Sequence, residues 1–215
     1  MRITESEGVA HLGALNGEAL QILELSLFGF PPDLEAVAGL ERLESLDFEC
    51  TDPGAPDGPD GELPLPPRLK YLELGRGAAS LRLVGLSRHP RLETVVLNNL
   101  EVPLSALPLA TLPRLSTLGI RRMDLTTLRQ AEPLLRVSDL AFAGVIGLAG
   151  LAHLPEVFPG TRALTISTHE FAAKETLDLA LLEGLSLESL YLYHTGPVRN
   201  EDQLPSGCTL YRPSP

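Results

Sequence analysis

Leu43-Glu-Ser-Leu46-Asp-Phe48-Glu-Cys50 and Leu187-Glu-Ser-Leu190-Tyr-Leu192-Tyr-His194 share one pattern: a leucine, two polar residues, then apolar positions alternating with polar or aromatic ones. Alternation with a period of two puts 46 and 48, or 190 and 192, on one face of an extended strand and the intervening side chains on the other. The same L-x-x-L-x-L spacing occurs at Leu20-Leu23-Leu25, Leu69-Leu72-Leu74, Leu92-Val95-Leu97 and Leu115-Leu118-Ile120. It occurs again at Val137-Leu140-Phe142 and Thr161-Leu164-Ile166. Successive first positions lie 22 to 26 residues apart, and eight matches at near-constant spacing define a repeat. With no Trp, 5% aromatic residues and 44% hydrophobic residues, the 215-residue chain has a core drawn mainly from leucine, as a repeated layer requires.

Short strands recurring at this interval pair in parallel, and a parallel pair needs a crossover. The apolar positions of those returns are Leu34-Val37-Leu40, Leu104-Leu107-Leu112 and Leu125-Leu128-Leu135. Their spacing predicts short helical or 3₁₀ turns, and Pro103, Pro108, Pro113 and Pro133 argue against long regular helices. No single repeat can bury its apolar face alone, so stability has to come from stacking.

The repeat resembles the leucine-rich-repeat family over roughly residues 20 to 210. The resemblance implies an α/β fold: a curved, right-handed β-α solenoid of about eight repeats of 22–26 residues. Its parallel sheet would lie on the concave face, with short helices, 3₁₀ turns and loops on the convex face. Family members usually carry Asn or Cys three residues after the third inward position, where the side chain ties neighbouring backbones together. Here those positions are Phe28, Thr51, Gly77, Leu100, Met123, Val145, His169 and Thr195, so no asparagine ladder exists. Asn98 and Asn99 sit one or two places early. The turn after each strand must satisfy its backbone by other means.

The expected plan is one domain over 1–215: a cap over 1–19, eight repeats over 20–198, and a closing cap and tail over 199–215. Val9, Leu12 and Leu15 suit a short covering helix or turn, and Cys208-Thr-Leu210-Tyr211 reads as a last half-repeat strand. Pro213 and Pro215 would discourage strand addition beyond it. Residues 52–67, rich in Pro, Gly and acids, replace the second return and are expected to be a loop on the convex side or rim.

The search for chemistry finds no catalytic constellation, and no enzyme, cofactor or metal is expected. His11, His89, His153, His169 and His194 are spread over different repeats without a ligand spacing; only His169 and His194 occupy nearby positions on adjacent repeats. Asp52, Asp57, Asp60 and Glu62 miss the order of a calcium loop. Gly75-Arg-Gly77 lacks the third glycine of a dinucleotide fingerprint, and no phosphate-binding P-loop or nucleophile elbow is present. Cys50 and Cys208 are about six strands apart, too far for an internal disulfide, and two free thiols fit a cytoplasmic protein. The first residues have no apolar signal core, and no window is long and apolar enough to span a membrane.

A net charge of −11 steers basic partners toward the chain and opposes nucleic acid and anionic membranes. The resemblance places the outward strand residues on the concave face, where a partner would dock. The candidates are Glu24, Asp47, Glu49, Tyr71 and Glu73 in the first strands, and Asn98, Arg121 and Arg122 in the middle. Tyr191, Tyr193 and His194 follow toward the end, so the face is expected to run from acidic to aromatic. Tyr and Arg dominate binding energy at many interfaces, and a rigid sheet loses little entropy on docking. The expected function is non-catalytic protein–protein interaction with no small-molecule substrate. Two further readings stand beside it: an inhibitor or immunity-type protein that neutralises a basic enzyme or toxin such as a nuclease, and a scaffold or regulatory subunit of a larger assembly.

Overall fold

The computed structural model describes residues 1–4, 12–15, 19–27, 33–50, 61–77, 81–99 and 103–212. It is a mixed α/β structure dominated by parallel sheet, with few helices. The chain divides into two compact units, Met1–Val102 with Thr111–Leu115, and Pro103–Ala110 with Ser116–Pro215.

In the first unit, strands β1 (Arg2–Thr4), β2 (Ile22–Leu27), β3 (Ser45–Cys50), β5 (Tyr71–Leu74) and β7 (Thr94–Asn98) lie side by side in that order, all parallel. The second unit repeats the arrangement with β8 (Thr117–Arg121), β9 (Asp139–Val145), β10 (Ala163–Thr168), β12 (Ser189–Tyr193) and β14 (Thr209–Tyr211). Each expected repeat contributes one of these strands, and the second and third members of every leucine triplet point inward and are buried. The register aligns like with like: Leu23, Leu46, Leu72 and Val95 form one inward row, and Leu118, Leu140, Leu164 and Leu190 another. Such rows interdigitate at crystal-like density and supply the main apolar burial.

The repeats are also tied through the backbone where six of the strands begin. The amides of Glu44 and Ser45 both donate to the Gln21 carbonyl, those of Lys70 and Tyr71 to Glu44, and those of Glu93 and Thr94 to Lys70. The second unit repeats this with Ser138 and Asp139 on Ser116, Arg162 and Ala163 on Ser138, and Glu188 and Ser189 on Arg162. All twelve contacts measure 2.8 to 3.1 Å. Paired amides on one carbonyl fix the register without any side chain.

Among the described residues the returns contain short 3₁₀ turns, at Leu34–Gly39, Leu104–Ala106, Leu109–Thr111, Leu125–Gln130, Leu148–His153, Glu170–Lys174 and Leu179–Leu182, and one α-helical turn at Leu154–Val157. Acidic side chains hold the starts of these turns. The Asp124 carboxylate accepts the Thr126 amide at 2.9 Å, and Asp178 accepts that of Ala180 at 3.1 Å. Glu175 reaches back to the preceding repeat and accepts the amides of Gly147 and Leu148. Asp33 accepts the amide of Gly13 at 2.7 Å. Carboxylates thus satisfy backbone donors in a protein that lacks the asparagine ladder. Gly144, at φ +64, is the extra residue by which β9 slips past β10, a bulge that lets repeats of unequal length stay in step.

Three expectations need correction. Within the expected 52–67 loop, Gly61–Pro64 is a strand, β4, paired in parallel with β6 (Leu81–Val84) and packed on the Leu34–Gly39 turn; residues 51–60 lie outside the described residues. Alternate residues of β4 carry the apolar side chain Leu63 inward, and the Glu62–Arg82 ion pair at 2.9 Å joins the two strands outside. Leu135 is 68% exposed and Leu134 takes the buried place, because the turn there rotates the chain by one residue. Leu20, expected inward, is partly exposed ahead of β2. In the N-terminal segment Leu12–Ala14 is a 3₁₀ turn with Leu12 buried and Leu15 partly so, while Val9 lies outside the described residues; ahead of it β1 pairs with β2 and continues the sheet.

Candidate protein-binding face

Side chains that alternate with the inward leucines stand on the open face of each sheet, and register brings them into rows. In the first unit Arg2, Glu24, Asp47, Glu73 and Val96 occupy one row, and Ser26 and Glu49 the next. Adjacent parallel strands are about 4.8 Å apart, so Glu24, Asp47 and Glu73 hold three carboxylates in immediate succession. Arg2 at the strand edge meets Glu24 at 3.5 Å. Glu73 is only 8% exposed, and its carboxylate accepts the Tyr71 hydroxyl at 2.6 Å, so Tyr71 braces it from the neighbouring row. Val96 is likewise covered, at 7%. Outward alternation alone therefore overstates what these two positions present.

Lys70 pairs with Glu44 at 2.9 Å and Arg114 with Glu93 at 3.9 Å, both exposed pairs. The unit holds nine Lys/Arg against seventeen Asp/Glu, a net of −8 out of the chain's −11. Gly75 lies beneath Glu49: a Cβ there would stand 2.9 Å from the Glu49 Cβ, so glycine is what lets Glu49 lean across. Asn98 is partly buried with its Oδ1 out of solvent.

In the second unit the corresponding rows are Gly119, Ala141, Thr165, Tyr191, Tyr211 and Arg121, Ala143, Ser167, Tyr193. Tyr191 and Tyr193 are 37% and 49% exposed on the same face of β12. Tyr211, 45% exposed, stacks on Tyr191 with ring centroids 4.5 Å apart and planes 8° from parallel. Tyr211 stands outside the candidate residues named from the sequence, although it follows the inward position Leu210 as Tyr191 follows Leu190; the register carried one strand further reaches it. Arg121 is exposed on the face, whereas Arg122 belongs to the turn beyond it, at φ +55 with its amide donating to Ala143. The His194 Nδ1 meets the Thr168 hydroxyl at 2.9 Å, which anchors the ring beside Tyr193 rather than leaving it free on the face.

The remaining candidate groups have structural surroundings. His89 is buried, its Nε2 3.0 Å from the Pro66 carbonyl and its Nδ1 accepting the Arg91 amide. Cys50 is buried and Cys208 partly so, both as free thiols, and burial raises the Cys208 pKa above its usual value. Among the described residues no three His, Cys, Asp or Glu side chains converge as a metal site would require, and no helix is long and apolar enough to cross a membrane. No family model matches the chain, and no curated protein matches it either.

Proposed function

We propose that each unit is a run of leucine-rich repeats, curved and right-handed with its strands on the concave side, and that the protein is a non-catalytic module that binds another protein through the strand face. Parallel strands joined by successive crossovers support the handedness, because such connections are right-handed in nearly all known cases. The in-register neighbours Glu24 and Asp47, flanked by Glu49 and backed by the covered carboxylate of Glu73, are the observation that carries the function. Like charges directly across neighbouring strands weaken a sheet, and a cationic partner surface reverses the sign of that interaction. A basic protein is the favoured partner, and nucleic acid and anionic membranes are disfavoured by the same charge. The concentration of −8 in one unit also favours a sharper form of this reading, an inhibitor that covers the cationic cleft of a basic enzyme. Two unbonded thiols fit a cytoplasmic setting.

Affinity capture from the native cell, with bound proteins identified by mass spectrometry, tests the reading. Wild-type protein should retain a basic protein at low salt and release it as ionic strength rises. The double variant Asp47→Asn/Glu49→Gln should retain at least about tenfold less, the loss of about 1.4 kcal/mol that two close charge pairs can supply. Equal retention by the variant at every salt concentration would sink the proposal.

A further inference from the structure

The tyrosine stack has one covered face and one open face. Its centroid separation of 4.5 Å matches the spacing of neighbouring strands, so the rings of Tyr191 and Tyr211 stand face to face along the row that joins β12 and β14. Tyr211 therefore covers one side of Tyr191. The other side looks along the same row toward Thr165, Ala141 and Gly119, none of them large enough to cover a ring. Tyr193 extends the wall in the next row, beside Ser167 and Ala143. The result is an aromatic wall rising from a floor of small side chains.

Two polar atoms on that floor are uncommitted. Among the described residues the hydroxyls of Thr165 and Ser167, directly beside the two rings, have no hydrogen-bond partner, and both residues are partly exposed. An apolar occupant such as a proline ring would cover these hydroxyls and leave them unsatisfied. A carboxylate or phosphate would meet the negative face of the ring in a unit whose eight Lys/Arg and eleven Asp/Glu give it a net charge of −3. A guanidinium suits all three features: it is planar and stacks on aromatic faces, it is cationic, and it carries five donors for neighbouring oxygens. Asp139, exposed in the row before Ala141, adds a carboxylate to the border of the floor. Arg121, a cation on this face, lies three strands from Tyr193, about 14 Å away and beyond the screening length at physiological salt.

Building on the reading of the protein as a partner-binding module, we propose that the open face of Tyr191, with the hydroxyls of Thr165 and Ser167, is a seat for an arginine side chain of a basic protein partner. The chain supplies its own reporter. It has no Trp and four Tyr, three of which stand at this wall, so tyrosine emission reads the site with only Tyr71 as background.

The experiment titrates the full chain with tetra-arginine, tetra-lysine and tetra-proline peptides, following tyrosine emission and, in parallel, heat of binding. Tetra-arginine should give a saturable signal and bind at least about fivefold tighter than tetra-lysine, with tetra-proline inert. Tyr191→Leu should reduce the calorimetric affinity for tetra-arginine about fivefold or more, and Thr165→Val/Ser167→Ala should erode the preference for arginine over lysine. Circular dichroism of each variant confirms folding. Unchanged tetra-arginine affinity in Tyr191→Leu overturns the inference. If that affinity is lost instead in Asp47→Asn/Glu49→Gln, the cation sits on the acidic row; the inference fails while the proposed function stands. Equal binding of tetra-proline, or no binding of tetra-arginine, also overturns it.

Discussion

Glu175 closes the turn that begins the preceding repeat's return: its Oε2 accepts the Leu148 amide at 2.8 Å across 27 residues of chain. The companion oxygen takes the Gly147 amide at 3.2 Å, so one carboxylate satisfies two donors that no local side chain reaches. Glu175→Ala should cost about 1–2 kcal/mol, in the range of a lost helix cap, read as a lower urea midpoint at unchanged slope. Wild-type stability in this variant would show that water replaces the carboxylate without loss.

Thr161 is the polar exception among the inward positions. It is fully buried, and its Oγ1 has no hydrogen-bond partner among the described residues. Thr161→Val keeps the shape and removes the stranded hydroxyl, so it should stabilise the protein by about 1 kcal/mol. A drop in denaturation midpoint would mean that the hydroxyl is satisfied in solution.

Gly150 marks the closest approach of two successive returns. A Cβ added there would stand 2.1 Å from the Leu125 carbonyl oxygen and 2.2 Å from its carbon, both backbone atoms that cannot swing aside. Gly150→Ala should destabilise by about 1–3 kcal/mol through overpacking, despite the better turn propensity of alanine. Gly39→Ala, where nothing lies within 4 Å, is the matched control and should be close to neutral.

Asp178 gives the molecule an acid-sensitive joint. Its pKa is lowered by the Asn200 side-chain amide, which donates at 2.6 Å, then by the Ala180 amide, with Arg199 adding a smaller attraction. A carboxylate whose folded pKa is depressed contributes stability that is present above its unfolded value, about 3.9, and is lost as pH falls through the folded value. The stability gap between wild type and Asp178→Asn should therefore be widest near neutrality and close below pH of about 4, measured as melting temperature against pH. A gap that stays constant to pH of about 2 would contradict this account.

The strands were legible because their signal is simple: a leucine at every second place, repeated eight times, can be buried on one face in only one register. The returns were less so. Their turns are too short for a full helical period, so Leu134 and Leu135 could not be told apart, and β4 hid behind prolines that suit an outer strand as well as a loop. The acidic caps left a trace in Asp124-Leu125 and Asp178-Leu179, but Asp33-Leu34 precedes a turn without such a cap and Asp139-Leu140 lies inside a strand, so the dipeptide alone does not discriminate. Glu175 left no local trace, since its partners lie a repeat away. At the candidate site the alternation identified which side chains face outward. It did not reveal that Tyr71 shelters Glu73, that Arg122 turns off the sheet, or that Tyr211 completes a stack, because each depends on a neighbour in space.

The carbonyl shared by two amides at the head of six strands makes the protein editable in whole units. Excising residues 138–161 would join Val137 to Arg162, and the amides of Arg162 and Ala163 would meet the Ser116 carbonyl in the geometry that Ser138 and Asp139 now use. The inward leucines would stay in phase, because Leu164 and Ile166 stand where Leu140 and Phe142 stood. A lineage carrying such a chain can lengthen or shorten its strand face by duplicating or deleting one segment of gene, and each step leaves the surviving shared-carbonyl joints of the same kind as before.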